Sequence, residues 1–276
     1  MKRAKRTIVI LGLALASCRG PIYTPTATPQ VMSVRIMATT TTYPLLQDFA
    51  VDFEQPGVRL AVSSQPATWE AIYNQMLSGT TPYALTSYVP NDAPLWVAPI
   101  GYDALVLVVN PANTVSGFTF EDLRNVFQGR VANWSDLGGP DLPVTVVSRE
   151  EGADTRLTFG DQVMGARRTT LAARLALSGS DVMNIVASTP GAIGYVGLEQ
   201  IDSRVRVVPV AAEQGAPFVM PTRAAIDSGD YPLRMSIQIV GLGPPPENSL
   251  YRDWFAWMQS DVGQSLLRAR FGGQED

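Results

Sequence analysis

The sequence contains no histidine, a single cysteine and no lysine after Lys5. Without histidine, a Ser-His-Asp or Cys-His catalytic apparatus and histidine zinc sites are excluded. Without a later lysine, a Schiff-base lysine is excluded as well. Walker loops, G-x-G-x-x-G helix starts and calcium loops are also missing. We therefore expect no cofactor, no metal and no enzyme, with two-carboxylate chemistry at Glu150, Glu151 and Asp154 as a minor alternative.

The single cysteine ends a segment that is typical of a bacterial secretion signal. It follows a basic start and an apolar stretch at residues 7–16. This stretch is too short to span a bilayer stably, which favours a signal peptide over a transmembrane helix. Residues 15–18 read LASC and resemble a lipobox, in which the cysteine becomes the lipidated first residue of the mature protein. We predict a signal peptide over residues 1–17 and a lipid anchor on Cys18, with an ordinary signal peptide as the alternative.

The mature chain is acidic and starts with a polar tether. Residues 18–32 are rich in proline and threonine without a hydrophobic period, which is typical of an extended linker. Without the four basic residues of the signal, 17 basic residues remain against 25 acidic ones, a net charge of about −8. This charge argues against a nucleic-acid partner. It does not argue against an anion ligand, because short-range donors in a closed cleft outweigh a distant, screened charge.

Strands and helices alternate along residues 33–276, which predicts an α/β fold with a mainly parallel sheet. We predict strands at 34–37, 58–62, 104–109 and 144–147, and helices that carry Leu45 and Leu46, span 67–77 from a Ser64 cap, and span 120–127. The aromatic residues Trp254, Phe255 and Trp257 recur at helical spacing, so we expect them in the core of a closing helix rather than in a ligand box.

Three strands lead into hydroxyl-rich segments, at residues 39–42, 63–64 and 152–155. Helix starts have unpaired N–H groups and a positive dipole end, and ligands in parallel sheets lie at the carboxyl ends of strands. Arg149, just before the third segment, adds a fork of donors suited to an oxyanion. The alternative is an ordinary helix start, with Asp154 as the N-cap and Arg149 in a surface ion pair.

Several longer motifs carry a family resemblance. They are residues 109–111 (VNP), residues 123–134 with Leu123, Phe127, Gly129 and Trp134, residues 149–155 (REEGADT), residues 190–196 and residues 231–233. In this order they resemble the phosphate-binding proteins of bacterial ABC uptake systems, whose third loop reads R-x-x-G-S-G-T. The resemblance covers most of residues 33–276.

The resemblance implies a two-lobe periplasmic-binding-protein-like (type II) α/β fold with a ligand cleft between the lobes. Lobe I would comprise residues 33–111 plus 228–276, and lobe II residues 112–227. It further implies a lipid-anchored monomer outside the cytoplasm, on the outer face of the cytoplasmic membrane or in the periplasm. There it would capture inorganic phosphate or a similar oxyanion by hinge closure and deliver it to an ABC permease.

By position, the resemblance also implies a set of ligand-binding residues. These are Thr40, Thr41, Thr42, Ser63, Ser64, Ser87, Arg149, Gly152, Ala153, Asp154 and Thr155. Glu151 would hold Arg149 in place, since members of the family use an acid two residues after the arginine in this way.

The chain departs from the family pattern at three positions. Ala153 and Asp154 replace the Ser and Gly of G-S-G-T, and Tyr88 stands where many members have an Asp. A carboxylate there would favour phosphate over sulfate, because phosphate keeps a proton to donate. Asp154 or Glu151 could supply that acceptor, Asp154 could only cap the helix, or an ionised, unpaired Asp154 could weaken anion binding. A ligand-poor sensor or surface module is therefore one alternative. Because the threonine run at residues 39–42 also resembles the first loop of tungstate- and molybdate-binding proteins, a binder of tungstate, molybdate or sulfate is another.

Overall fold

The computed structural model describes residues 30–53 and 58–271. The predicted signal peptide, Cys18 and nearly all of the tether lie outside these residues. No helix in the described part is long and apolar enough to cross a membrane.

The described residues alternate between strands and helices. The strands are β1 (Gln30–Thr39), β2 (Val58–Ser63), β3 (Pro66–Ala67), β4 (Tyr83–Thr86), β5 (Trp96–Val109), β6 (Phe118–Thr119), β7 (Thr145–Arg149), β8 (Arg174–Ala176), β9 (Ala192–Gly197), β10 (Arg206–Val207), β11 (Val210–Ala211) and β12 (Arg234–Gly241). The helices are α1 (Tyr43–Asp52), α2 (Trp69–Leu77), α3 (Phe120–Phe127), α4 (Asp154–Phe159), α5 (Gly179–Ser188), α6 (Arg223–Ser228), α7 (Leu250–Met258) and α8 (Asp261–Phe271).

One mixed sheet runs through the molecule in the order β2-β1-β4-β12-β5-β9-β7-β8. Its parallel pairs lie towards the two ends, where β1 pairs with β2 and β4, and β7 pairs with β8 and β9. Its centre is antiparallel, because β5 runs antiparallel to both β9 and β12, and β12 runs antiparallel to β4. The prediction of a mainly parallel sheet is therefore wrong for the centre and right for the flanks.

The long strand β5 joins the two lobes. Its residues 96–104 pair with β12, and its residues 105–109 pair with β9. Its second half belongs to a buried cluster with Phe127, Trp134 and Val186. Another buried cluster contains Leu45 and Trp254, on the β1 and β4 side of the sheet. This is the expected two-lobe α/β architecture, while the residue boundaries of the lobes stay a prediction.

Most of the predicted helices and strands are present, but α2 begins later in the chain than predicted. We expected this helix to span residues 67–77 from a Ser64 cap. Instead Pro66–Ala67 pairs with the end of β1 as β3, so the helix begins later, at Trp69. Thr68 is its N-cap, and the Thr68 hydroxyl accepts a hydrogen bond from the N–H of Ala71 at 3.4 Å. Helix α3 matches its predicted bounds and carries a capping box of Thr119 and Asp122.

The C-terminal aromatic residues pack in the core, as predicted. Trp254 is fully buried and its indole N–H donates to the carbonyl of Phe49 at 3.2 Å. Phe255 is buried beside it, and Trp257 lies edge-on to Phe49 at 6.0 Å. Helix α7 therefore closes lobe I against α1.

Two family motifs have structural roles away from the cleft. The amide of Asn110 donates to the carbonyls of Val186 and Ala187, both at 2.9 Å, and so ties the end of β5 to the end of α5. The indole N–H of Trp134 donates to the carbonyl of Gly191 at 2.9 Å. These bonds satisfy buried polar groups of the lobe II scaffold.

Candidate anion-binding site

Three strand ends converge on one carboxylate. Thr41 follows β1, Ser87 follows β4, and Asp154 opens α4 just after β7. The hydroxyl of Thr41 donates to Asp154 Oδ1 at 2.8 Å, and the hydroxyl of Ser87 donates to Oδ2 at 2.7 Å. The N–H of Thr155 also donates to Oδ1, at 3.0 Å. All four residues are buried.

The sheet explains this convergence. Because β1 and β4 are parallel neighbours, their carboxyl ends meet at the same edge, which brings Thr41 and Ser87 side by side. Asp154 reaches them from the far side of β12 and β5, where β7 lies. The three side chains therefore link lobe I to lobe II across the cleft.

The threonines of the first loop have different surroundings. Thr41 contacts Asp154, whereas Thr40 is exposed. The Thr42 hydroxyl donates to the carbonyl of Leu85 at 2.7 Å, which leaves Thr39 as the donor in the 3.0 Å contact between their hydroxyls. Thr42 therefore fastens the loop to β4, and Thr41 is the threonine of this run that reaches across the cleft.

Of the serines of the second loop, only the side chain of Ser64 lies within the described residues, where it makes no hydrogen bond to Asp154. Ser63 is the last residue of β2, and its side chain lies outside the described part of the chain. Ser64 is half-buried beside the entry to β3. Among the described residues, the donors to Asp154 are Thr41, Ser87 and Thr155. A ligand role for either serine stays a prediction.

Arg149 pairs with a different acid from the expected one. It is buried at the end of β7, and its Nε and Nη2 donate to the two carboxylate oxygens of Glu150, each at 2.8 Å. Glu151 is exposed, because the chain turns sharply at Glu151 and Gly152. The expectation that Glu151 holds Arg149 is therefore wrong, and so is a surface location for Arg149. The bidentate geometry orients the guanidinium firmly.

Gly152 allows the turn that carries Asp154 into the cleft. Its φ of +84° lies in the left-handed region, which residues with a Cβ rarely adopt. A Cβ at this position would also lie 3.1 Å from the Cβ of Thr68, at the start of α2. Both the backbone conformation and the close approach of the two loops therefore require glycine here.

Ala153, not Asp154, occupies the N-cap position of α4. Its extended ψ of 132° precedes the helix, and its methyl side chain makes no capping hydrogen bond. Asp154 is the first helical residue, and its carboxylate is held by hydroxyls from lobe I. The prediction that Asp154 caps the helix is therefore wrong by one residue, because a tertiary contact replaces the local one.

One buried hydroxyl of this group has no partner. Thr155 is fully buried, and its Oγ1 makes no hydrogen bond within the described part of the chain. Buried hydroxyls are normally paired, so this group is available to a further acceptor.

Asp103 is a buried acid near the site that the motifs did not indicate. A Cβ on Gly197 would lie 3.0 Å from Asp103 Oδ2 and 3.4 Å from the Cγ2 of Thr41, so Asp103 lies behind the first loop. Neither of its oxygens accepts a hydrogen bond of good geometry from a described residue, although nearby backbone N–H groups lower its pKa somewhat. Burial, with smaller contributions from Glu199 and Asp154, raises the pKa of Asp103 to about 8. The sequence did contain a signal for Asp103, because this acid lies directly before the apolar residues at the end of β5.

Further contacts bridge the lobes beside Asp154. The Tyr88 hydroxyl donates to Asp161 Oδ2 at 2.8 Å, and burial followed by this hydrogen bond raises the pKa of Tyr88. Arg270, which pairs with Asp48 of the same lobe at 2.6 Å, also contacts Glu199 of the other lobe at 3.4 Å. The described form of the cleft is therefore closed. Tyr88, which departs from the family pattern, is one of the residues that close it.

Comparison with known proteins places this architecture in a family. The model of a PBP superfamily domain matches residues 24–262. The phosphate-binding protein PstS of Bacillus subtilis is 30% identical over 138 residues, which cover 50% of this chain and 43% of that protein. PstS of Borreliella burgdorferi is 24% identical over 177 residues, covering 60% of this chain and 61% of that protein. The chain thus matches less than two thirds of the length of these relatives.

Solved structures agree on the fold. An ABC-type phosphate transport receptor from Vibrio cholerae superposes with a TM-score of 0.73 at 23% identity, covering 88% of this chain and all of that one. PstS from Borrelia burgdorferi superposes with a TM-score of 0.62 at 19% identity, covering 88% and 99%. The family resemblance seen in the motifs is confirmed: the chain belongs to the PBP superfamily, within which it is similar to PstS phosphate-binding proteins.

Proposed function

We propose that this chain is an extracytoplasmic solute-binding protein that captures phosphate, or a related oxyanion, for an ABC importer. The observation that carries the proposal is the pair of hydroxyls of Thr41 and Ser87, which together hold a negatively charged group that reaches across the cleft. Two convergent donors of this kind suit the oxygens of a phosphate as well as those of a carboxylate. The PstS relatives support phosphate as the first anion to test.

The remaining parts of the proposal concern location and delivery. Residues 1–17 would direct export, and a lipidated Cys18 with the tether would keep the two lobes near the membrane surface. The lobes would move about the paired strands β5 and β12, which both lie at the junction of the two lobes. Opening would admit the anion, and closure would present it to a permease.

A second candidate function is supported by the same site. Asp154 and Glu150 already satisfy Thr41, Ser87 and Arg149 with internal carboxylates. This arrangement suits a ligand-poor homologue that acts as a sensor or surface module. The two candidates differ in one measurable respect, which is whether any free oxyanion binds in the cleft.

Isothermal titration calorimetry of the full-length chain with phosphate, sulfate, tungstate and molybdate separates the two. The same four titrations are made with Asp154→Ala, where the hydroxyls have no internal partner. Binding of phosphate to the intact chain supports capture, whereas binding to Asp154→Ala alone favours the ligand-poor homologue. Binding of sulfate, tungstate or molybdate but not phosphate changes the anion, and no binding of any anion to either protein contradicts oxyanion capture and favours the ligand-poor homologue.

The hydroxyl contact is tested in the Asp154→Ala background. There Thr41→Val should weaken anion binding by at least about 10-fold, which corresponds to loss of about 1.4 kcal/mol from one hydrogen bond to an anion. Thr114→Val is the matched control, because Thr114 is an exposed threonine outside the predicted ligand-binding residues. Equal losses in the two variants would place the anion elsewhere.

A further inference from the structure

We infer that Asp154 is an internal ligand of the cleft: its carboxylate occupies the hydroxyl donors of lobe I, holds the lobes closed without a free anion, and must be displaced before one binds. The displacement step rests on the proposed function. The closure step does not, because it concerns contacts within the chain.

The hydrogen bonds of Asp154 have the pattern of a bound anion. Both oxygens accept, one from Thr41 and the N–H of Thr155, the other from Ser87. Two hydroxyls and one backbone N–H thus surround its two oxygens, as donors surround a bound oxyanion. Its side chain is buried with those of its donors, and a buried charge requires such partners. The carboxylate therefore supplies from lobe II what a ligand would otherwise bring from solution.

The positions of the three residues make this contact a link between lobes. Thr41 and Ser87 lie at the ends of neighbouring strands on one side of β12 and β5. Asp154 is fixed to α4 on the other side, after the turn at Gly152. Opening of the cleft would break the bonds to both hydroxyls. It would also leave a carboxylate and two hydroxyls to be rehydrated.

The arginine of the family motif also pairs with a carboxylate of the chain itself. Two of the nitrogens of Arg149 donate to Glu150, its neighbour in the chain. Of the donors that the resemblance assigns to an anion, the described structure thus leaves the buried Thr155 hydroxyl unpaired. Without a free anion, carboxylates of this chain pair with Thr41, Ser87 and Arg149 in the closed form. This distinguishes it from a cleft that closes only around its ligand.

Two acids near Asp154, which are Asp103 and Glu199, have raised pKa values and therefore repel its carboxylate less. Asp103 and Glu199 lie close enough to Asp154 for their charges to interact, and burial raises the pKa of both. Asp103 is therefore mainly protonated at neutral pH, which removes one like charge from the neighbourhood of Asp154. Arg270 contacts Glu199 at 3.4 Å and partly balances the negative charge of Glu199.

An internal ligand lowers the apparent affinity for a free anion. When the competent state is only a small fraction of the population, the apparent dissociation constant rises by the inverse of that fraction. We therefore expect the intact chain to respond only to high oxyanion concentrations. Removal of the carboxylate should tighten phosphate binding at least about 10-fold.

Closure is measured directly by pulsed electron paramagnetic resonance. Spin labels are attached in the Cys18→Ala chain after Leu77→Cys and Leu171→Cys, which are exposed positions in lobe I and lobe II. With Asp154 intact, we expect one short distance that phosphate does not change. With Asp154→Ala, the distance should lengthen without anion and shorten again in 10 mM phosphate, a level chosen to be on the order of saturation for a weak site. Asp136→Ala, which removes an exposed acid of lobe II, should behave like the intact chain.

The outcomes separate this inference from the proposed function. If Asp154→Ala opens the cleft but none of the four oxyanions closes it, the internal ligand is supported and oxyanion capture fails. If Asp154→Ala stays closed, or the intact chain is already open without anion, the internal ligand is refuted. Should Asp154→Ala not fold, Thr41→Val with Ser87→Ala removes the partners instead, and must open the cleft in the same way.

Discussion

Ser87 and Asp154 are 67 residues apart in sequence, yet the hydroxyl of one donates to the carboxylate of the other at 2.7 Å inside the closed cleft. A serine at the end of β4 thereby contacts the first residue of α4, which belongs to the other side of the sheet. The bond is buried and ends on a charged acceptor. Its loss should therefore have a measurable energetic effect.

We expect Ser87→Ala to destabilise the chain by about 1.5–3 kcal/mol, the usual contribution of a buried hydrogen bond to a charged group. Urea unfolding at pH 7 measures the change. Thr40→Ala removes an exposed hydroxyl of the same site region and should stay within about 0.5 kcal/mol of the unmodified chain. A Ser87→Ala variant as stable as Thr40→Ala would show that the contact contributes nothing.

The raised pKa of Asp103 predicts a loss of stability with rising pH. The native state holds this proton up to a pKa of about 8, whereas in the unfolded chain it is lost near 3.9. The stabilising contribution is therefore complete below about pH 4 and disappears as the pH rises through about 8. Asp103→Asn has no such proton to lose, so its melting temperature should fall less between pH 5 and pH 8. Parallel curves for the variant and the unmodified chain would contradict the assignment, and Asp136→Asn serves as an exposed control.

Gly152→Ala should destabilise the chain for two separable reasons. The residue must adopt a φ of +84°, and its new methyl group would lie 3.1 Å from Thr68 Cβ and 3.3 Å from Thr68 Cγ2, the atom that serine lacks. Gly79→Ala has a similar φ of +71° in open space and measures the backbone part alone, about 1 kcal/mol. We expect Gly152→Ala to cost more in thermal unfolding, and Thr68→Ser to recover part of the excess. Equal losses at the two glycines would mean that the loops do not pack closely.

Cys18→Ala tests the proposed anchor. If Cys18 is lipidated, the variant should leave the membrane fraction or remain unprocessed, because the acyl chains hold the mature protein at the surface. Fractionation with labelled fatty acid measures both. A processed, lipid-labelled variant in the membrane fraction would show that the anchor is elsewhere.

Local sequence patterns predicted the helices and strands better than they predicted the contacts between them. The hydrophobic spacing at residues 120–127 and the apolar run of β5 identified α3 and that strand, because helix and strand periods are local properties. The antiparallel centre of the sheet depends on how the chain crosses between the lobes at β5 and β12, which no local period reports. The late start of α2 likewise depends on the pairing of Pro66 with β1.

The sequence predicted which segments form the site, but it did not predict which side chains pair with each other within the site. Thr41 lies in a hydroxyl-rich segment after a strand, and the family resemblance implied both Thr41 and Ser87, so both were expected near the cleft. Whether Asp154 caps its helix or reaches lobe I is decided by a contact across 113 residues with Thr41, beyond any local signal. The choice of Glu150 over Glu151 as the partner of Arg149 depends on the turn at Gly152.

Phosphate titration of the intact chain beside the double variant Ala153→Ser with Asp154→Gly tests the central claim most directly. The double variant restores the family's G-S-G-T sequence, removes the internal carboxylate and adds one hydroxyl donor. Isothermal titration at pH 7 should show phosphate binding at least about 10-fold tighter in the double variant, a gain of about 1.4 kcal/mol. Equal or weaker binding by the double variant would contradict the account, because Asp154 would then not compete for the anion's donors.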